Sequence, residues 1–152
     1  MNNEISLTQH VNASADKVWA VISDIPGSAT TLSSIKSIEM LSDGPYGEGT
    51  RWKETRTMMG RSETVEMWVS EANPPRITTV KALQNGADYT SRMTLEENDG
   101  GTDLTMTFAA EMLNPSRMNK LAMALFGKLG VNATRKALAK DLAEIATRAE
   151  SL

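Results

Sequence analysis

Between Thr50 and Met112 the chain runs through five segments of alternating residue character, joined by turn signals: Thr50–Met58, Ser62–Glu71, Arg76–Gln84, Tyr89–Glu97 and Thr102–Met112. Alternation with period two is the mark of a β-strand with one buried and one wet face. Met59-Gly60, Asn85-Gly86 and Asp99-Gly100 supply joints of two residues, which suit antiparallel hairpins. The middle of the chain is therefore one antiparallel meander, and the flanking segments must pack against it.

Ahead of the meander, Ile5, Leu7 and Val11 alternate with polar residues and read as a strand. Ser14 is a good N-cap for a helix in which Val18, Trp19, Ile22 and Ile25 recur at helical spacing, and Pro26-Gly27 ends it. A second short helix reaches to about Leu32, Ile35–Leu41 reads as a strand, and SDGPYGEG as a glycine-rich turn. The segment after the meander is helical and opens at Asn114-Pro115. Its apolar residues fall into two stripes. Met118, Leu121, Leu125 and Leu129 share one direction, and Val131, Leu138, Leu142, Ile145 and Ala149 share another about 150° away. One straight helix cannot bury both against one sheet, so a break is expected at FGKLG, where Gly127 and Gly130 weaken the helix. The second stripe is expected to fill the sheet, and the first to cover a cavity entrance with Met118, Leu121 and Leu125 less completely buried.

Turn chemistry also sets registers. A Met59-Gly60 turn puts Lys53 opposite Glu66, Arg51 opposite Trp68 and Thr55 opposite Thr64 on one face, with Trp52 opposite Met67, Glu54 opposite Val65 and Arg56 opposite Glu63 on the other. Asn85-Gly86 sets Ala82 against Tyr89, Val80 against Ser91 and Thr78 against Met93. Asp99-Gly100 is in tension with its neighbours, since a simple turn there opposes Glu96 and Asp103. The hairpins agree on one inner face, which includes Trp52, Glu54, Arg56, Val65, Met67, Val69, Thr78, Val80, Tyr89, Ser91, Met93, Leu95, Leu104, Met106 and Phe108. It is an apolar surface interrupted by hydroxyls and by a carboxylate and a guanidinium.

The chain's 152 residues suffice for one domain, expected to span residues 1–152, with a core of its own. Without cysteine there is no thiolate nucleophile and no Cys-ligated zinc, and the single histidine, His10, falls on the outward parity, which disfavours a Ser-His-Asp triad or a histidine metal site. No cofactor is called for. The net charge of −3 argues against a nucleic-acid binder. The charge is uneven, +4 from Pro115 onward and −7 before it, which reads as a basic helix on an acidic sheet or, in the minority reading, a membrane-surface helix. No apolar run is long enough for membrane insertion. MNNEISLTQH has neither the basic nor the apolar region of a signal peptide, so the cytoplasm is the default compartment.

Four stretches, VNASADKVWAVISD, GEGTRWKET, VSEANPPR and GGTDLTMTF, occur in an order and at spacings that resemble the START/Bet v1-like superfamily, also called SRPBCC or polyketide cyclase-like. The resemblance implies a helix-grip fold of class α+β. A curved antiparallel sheet of about seven strands wraps a long C-terminal helix, with two short helices after the first strand. It also implies a cavity between sheet and helix that takes hydrophobic small molecules such as lipids, sterols, polyketides or quinones.

The inner face supplies the candidates. Glu54 and Arg56 read either as a polar anchor or acid/base group in an apolar cavity, or as an ordinary pair at its mouth with Arg56 meeting Glu63 in solvent. Tyr89, Ser91 and Thr78 could orient a ligand or simply bond across strands. Ten methionines against two Phe and two Tyr suit an adaptable binding surface, or equally a gap-filled core; Met67, Met93, Met106 and Met118 would surround the helix–sheet space, with Met58 and Met123 beside them. SDGPYGEG lacks the ending of a phosphate-binding loop and reads as a plain turn. The expected lining is Trp52, Glu54, Arg56, Val65, Met67, Thr78, Val80, Tyr89, Ser91, Met93, Met106, Phe108, Met118, Leu121 and Leu125. The expected function is binding of a small, mostly hydrophobic ligand, as carrier or sensor. The alternatives are a cyclase/dehydratase acting on a polyketide-like substrate, with Glu54 and Tyr89 as acid/base groups and Arg56 as oxyanion partner, or a protein-interaction module.

Overall fold

The computed structural model describes residues 3–58, 60–84, 86–113 and 120–152, apart from the side chains at 58 and 120–122. The elements follow the order read from the sequence: β1 (Asn3–Val11), α1 (Ala15–Ile22), α2 (Ser28–Thr31), β2 (Ile35–Met40), β3 (Arg51–Met58), β4 (Arg61–Asn73), β5 (Ile77–Gln84), β6 (Ala87–Asn98), β7 (Gly101–Met112), α3 (Lys120–Phe126) and α4 (Gly130–Glu150). The strands form one antiparallel seven-stranded sheet in the order β1-β7-β6-β5-β4-β3-β2. Apart from β1, which returns to pair with β7, each strand lies beside its sequence neighbour; the β3–β4, β5–β6 and β6–β7 joints have two residues each. Ser14 caps α1, its Oγ accepting from the Lys17 amide at 3.3 Å. The expected helix opening at Asn114-Pro115 lies outside the described residues.

The registers are those set by turn chemistry. Lys53 opposes Glu66, Arg51 opposes Trp68, Glu54 opposes Val65 and Arg56 opposes Glu63. Ala82 opposes Tyr89, Val80 opposes Ser91 and Thr78 opposes Met93. On the outer face the Arg51 guanidinium lies 5.3 Å from the Trp68 ring and pairs with Glu66. The strained-looking hairpin is real: Glu96 does face Asp103, and Asp99 and Gly100 both take positive φ, 48° and 76°. The like charges are reconciled from the far side. His10 on β1 brings Nδ1 to 2.7 Å from Asp103 Oδ1, and Asn98 Nδ2 donates to Asp103 Oδ2 at 2.9 Å. These bonds, His10's first, hold the Asp103 carboxyl below its usual range.

The C-terminal segment breaks where its two stripes change phase. α3 ends at Phe126 and α4 begins at Gly130. Close approach fixes the break: a Cβ on Gly130 would stand 1.7 Å from the Ala124 carbonyl oxygen. Thr134 Oγ1 donates to the Leu125 carbonyl at 2.8 Å and ties the two helices together. On α4, Leu142, Ile145 and Ala149 are buried as expected. The other stripe departs from expectation. Leu129 lies in the break and is 87% exposed, whereas Leu125 is fully buried rather than partly. Its burial comes from the second core group below, where it packs with Ala82, Tyr89 and Ala110.

The interior is divided. One apolar group joins α1, α4 and the ends of β6 and β7 around Val18, Leu104 and Leu142. A second gathers Ala82, Tyr89, Ala110 and Leu125, with Phe108 and Phe126 beside them. A third gathers Ile25, Trp52 and Val69. The space left among the three positions the site.

Candidate ligand cavity

Inward-facing residues of β3 to β7 form the concave wall of a cavity of about 210 Å³, and α4, α1 and α2 close it from the other side. Most of the lining is apolar, including Ile22, Ile25, Leu32, Ile35, Val80 and Leu138. Such space exists because α4 packs closely against β1 and α1 and reaches β3 through the Asp141 side chain, standing off the strands between across the cavity.

The polar part of the wall is an ionic cluster assembled from three directions. Trp52 and Glu54 stand two apart on β3, which puts both side chains on the inner face. Trp52 Nε1 donates to Glu54 Oε1 at 3.3 Å, and Arg56 Nε donates to Glu54 Oε2 at 3.1 Å. Arg56 Nη1 then donates to Asp141 Oδ2 at 2.6 Å and to Ser34 Oγ at 3.0 Å. Ser34, just ahead of β2, donates in turn to Asp141 Oδ1 at 3.4 Å. Glu54 and Asp141 are buried, and the Arg56 side chain is 21% exposed. Burial pulls the Arg56 guanidinium down, but the charges of Asp141 and Glu54 and the bonds they accept outweigh it, so its pKa is raised and it stays protonated. Arg56 thus turns to Glu54 and Asp141. The pairing with Glu63 at the mouth, although the two residues are opposite in register, is replaced by this inward one. Geometry decides it: two buried carboxylates within reach draw the guanidinium more strongly than one half-exposed residue across the strand.

Two tyrosines complete the site. Tyr46, from the glycine-rich turn, packs edge-on to Trp19 and shares a 2.5 Å hydrogen bond with Thr78 Oγ1; burial raises its pKa, against the opposing effect of that bond. Tyr89 stacks on Phe108, which stacks on Phe126, with centroids 6.1 and 5.5 Å apart. The Tyr89 hydroxyl is buried and has no hydrogen-bond partner among the described residues. Burial, with a smaller contribution from the Glu63 charge, pushes its pKa up to about 12.

Of the residues singled out from sequence, Trp52, Glu54, Arg56, Val65, Met67, Thr78, Val80, Tyr89, Ser91, Met93, Met106, Phe108 and Leu125 all line this cavity. Met118 lies outside the described residues, as do the side chains of Met58 and Leu121. Met123 is largely exposed. Sequence reasoning missed Asp141, Ser34 and Tyr46. Asp141 left a signal. Thr134, Leu138, Asp141 and Ile145 share one face of α4, so a carboxylate interrupts an apolar stripe just as Glu54 interrupts an apolar strand face. Tyr46 left none, because nothing in a turn sequence says which way a side chain will fold back. Among the described residues no group of His, Asp and Glu is placed to hold a metal ion, and no helix is long and apolar enough to cross a membrane.

A family model described as polyketide cyclase / dehydrase and lipid transport matches residues 3–150. Solved structures share the fold over the full chain. A protein of Thermus thermophilus superposes with TM-score 0.79 at 16% identity, covering 97% of each chain. The Zhui aromatase/cyclase from Streptomyces sp. R1128 superposes with TM-score 0.74 at 20% identity, covering 99% of this chain and 94% of its own. Major latex-like protein 151 of Panax ginseng gives TM-score 0.74 at 9% identity, covering 96% of each chain. At these identities the likeness is one of fold. No curated protein matches the sequence.

Proposed function

This chain belongs to the polyketide cyclase/dehydrase and lipid transport family, and on that premise we propose that it binds a small, mostly apolar molecule between the sheet and α4. Residues 1–152 would act as one binding domain. The carrying observation is the cavity of about 210 Å³ with apolar walls and a buried Glu54–Arg56–Asp141 cluster. A dry, well-packed core does not keep three ionised groups beside empty space; a cavity that holds water or a ligand does. The test is native mass spectrometry of the protein purified from its own host, followed by melting with candidate apolar compounds. A co-purifying small molecule, or a melting temperature that climbs with ligand concentration, is the expected result. A protein that carries nothing and whose melting point no apolar compound moves would overturn the proposal.

One observation favours catalysis as a second reading. Asp141 supplies the carboxylate partner that an acid/base mechanism beside Glu54 needs, and the two share one guanidinium. In a cyclase/dehydratase, one carboxylate of the cluster would take a proton from the carbon next to the carbonyl and hand it to the departing β-hydroxyl, which leaves as water as the carbon–carbon double bond forms. Loss of water from a poly-β-ketone thioester, abolished in Asp141→Asn with the fold intact, would support it; no turnover with tight binding would leave a carrier.

A further inference from the structure

The two polar regions of the cavity make opposite demands. At the cluster, Glu54 and Asp141 together offer about eight lone-pair sites. The structure fills them with four donor contacts, from Trp52, Ser34 and two nitrogens of Arg56. Two carboxylates against one guanidinium also leave one formal negative charge in excess. The other charged residues of the lining do not reverse this: Glu63 adds to it, and the Lys81 ammonium is held by Asp88 at 2.9 Å and by Thr90 at 2.7 Å. This end therefore accepts hydrogen bonds and repels anions, and an oxyanion set against Arg56 would face both carboxylates.

At the other end stands the Tyr89 hydroxyl, on a residue only 6% exposed, lining the cavity and without a protein partner among the described residues. A buried hydroxyl left unpaired is costly, so one on a residue that lines the cavity is matched to an acceptor that the ligand brings to it. A phenol held in its protonated form offers a hydrogen. Glu54 on β3 and Tyr89 on β6 are three strands apart, about 14 Å along the sheet, so the two demands fall on different parts of one ligand. The volume, about 210 Å³, lies between a benzene-sized cavity and a drug-sized pocket, which suits a skeleton of about two fused rings.

We infer that the ligand is neutral and carries hydrogen-bonding groups of opposite sense: a hydroxyl-type donor for the Glu54–Asp141 wall and a carbonyl-type acceptor for Tyr89. Free fatty acids and other carboxylates are selected against. This rests on the cavity being a ligand site, as proposed above, and adds the chemistry that the site chooses.

Calorimetry with one bicyclic skeleton separates the two ideas. Tetralin has no polar group, tetralone adds only a carbonyl, tetrahydronaphthol only a phenolic hydroxyl, and tetrahydronaphthoate a negative charge. Tetralin should bind weakly. Tetralone and tetrahydronaphthol should each bind about tenfold more tightly, one hydrogen bond's worth, and tetrahydronaphthoate more weakly than tetralin. Tyr89→Phe keeps the aromatic stack. It should erase the advantage of tetralone alone, and should raise the melting temperature of the empty protein because an unpaired hydroxyl is gone. Glu54→Gln should reduce the penalty on tetrahydronaphthoate. Should that variant fail to fold, the wild-type series and Tyr89→Phe decide the matter between them. If tetralin binds and the polar groups change nothing, if the carboxylate binds best, or if tetralone keeps its advantage in Tyr89→Phe, the inference fails while the cavity reading stands. If no probe binds, both fail.

Discussion

Glu54 reaches Arg56 from the sheet and Asp141 reaches it from the helix, so this one guanidinium clasps two layers of the fold as well as forming part of a cavity wall. Its removal would leave two carboxylates facing each other out of water. Arg56→Ala is therefore expected to cost about 3–5 kcal/mol, the penalty of an orphaned buried charge rather than of a lost contact. Lys53→Ala, beside Glu54 on β3 but on the exposed face, should cost less than ~1 kcal/mol. Urea melts of the two variants check both. Replacing the whole cluster, with Glu54→Leu, Arg56→Met and Asp141→Leu together, should restore stability to within about 1–2 kcal/mol of wild type while affinity for hydroxyl-bearing probes is lost. If the triple variant kept that affinity, the cluster would be scaffolding only. A milder pair of substitutions reports on the space itself. Met93 and Met106 face each other across β6 and β7 and both line the cavity. Truncation to alanine in a filled core costs about 2–5 kcal/mol, and each of these should fall near the lower end because fewer partner atoms are lost. Two values near the upper end would mean that the interior closes up in solution.

The elements carry their own logic. The β3–β4, β5–β6 and β6–β7 joints have two residues each, so register follows from the turn and parity assigns side chains to faces there, whereas register shifts interrupt the β2–β3 and β4–β5 pairs. The break between α3 and α4 is different in kind, since it depends on one backbone passing another. Gly130 is where the passage is tightest. A methyl group there meets the Ala124 carbonyl rather than a flexible side chain. Gly130→Ala should therefore lift α3 away from α4, strain the Thr134–Leu125 hydrogen bond and cost about 1–3 kcal/mol. Hydrogen exchange locates the damage. Amides of residues 120–126 should lose protection, while those of 133–147, held by the buried face of α4, should keep theirs. In the wild-type protein the same two segments should already differ in that direction, because α3 has seven residues and α4 has 21. Equal protection of both, in wild type and variant alike, would make the two helices one cooperative unit and leave the glycine without a structural task.

Across the whole molecule, what could be read in advance followed periodicity, and what could not depended on distant parts meeting. Strand order, register and the inner face came from alternation and two-residue turns, and the helix break came from a phase change in its apolar stripes. The partner of Arg56 did not, because Asp141 lies 85 residues away along the chain and only the closing of helix on sheet brings the two within reach. Distant parts also bury Tyr46, against Trp19 of α1, and Tyr89, beside Leu125 of α3; they are the only tyrosines in the protein, and this has a consequence at high pH. Both hydroxyls have raised pKa values, Tyr89's to about 12. An acid whose folded pKa exceeds its unfolded one, near 10, contributes nothing variable below pH 10; above it, the unfolded chain gives up the proton first and stability drains away until about pH 12. Lysines titrate over the same range, so the comparison that isolates Tyr89 is with Tyr89→Phe. Below pH 10 the variant should be the more stable by about 1 kcal/mol, the cost of an unpaired hydroxyl. Between pH 10 and pH 12 that gap should widen, because only the wild type has the phenol to lose. Urea melts at stepped pH measure the gap directly. A gap that stays constant through pH 12 would mean that the Tyr89 hydroxyl meets water in solution.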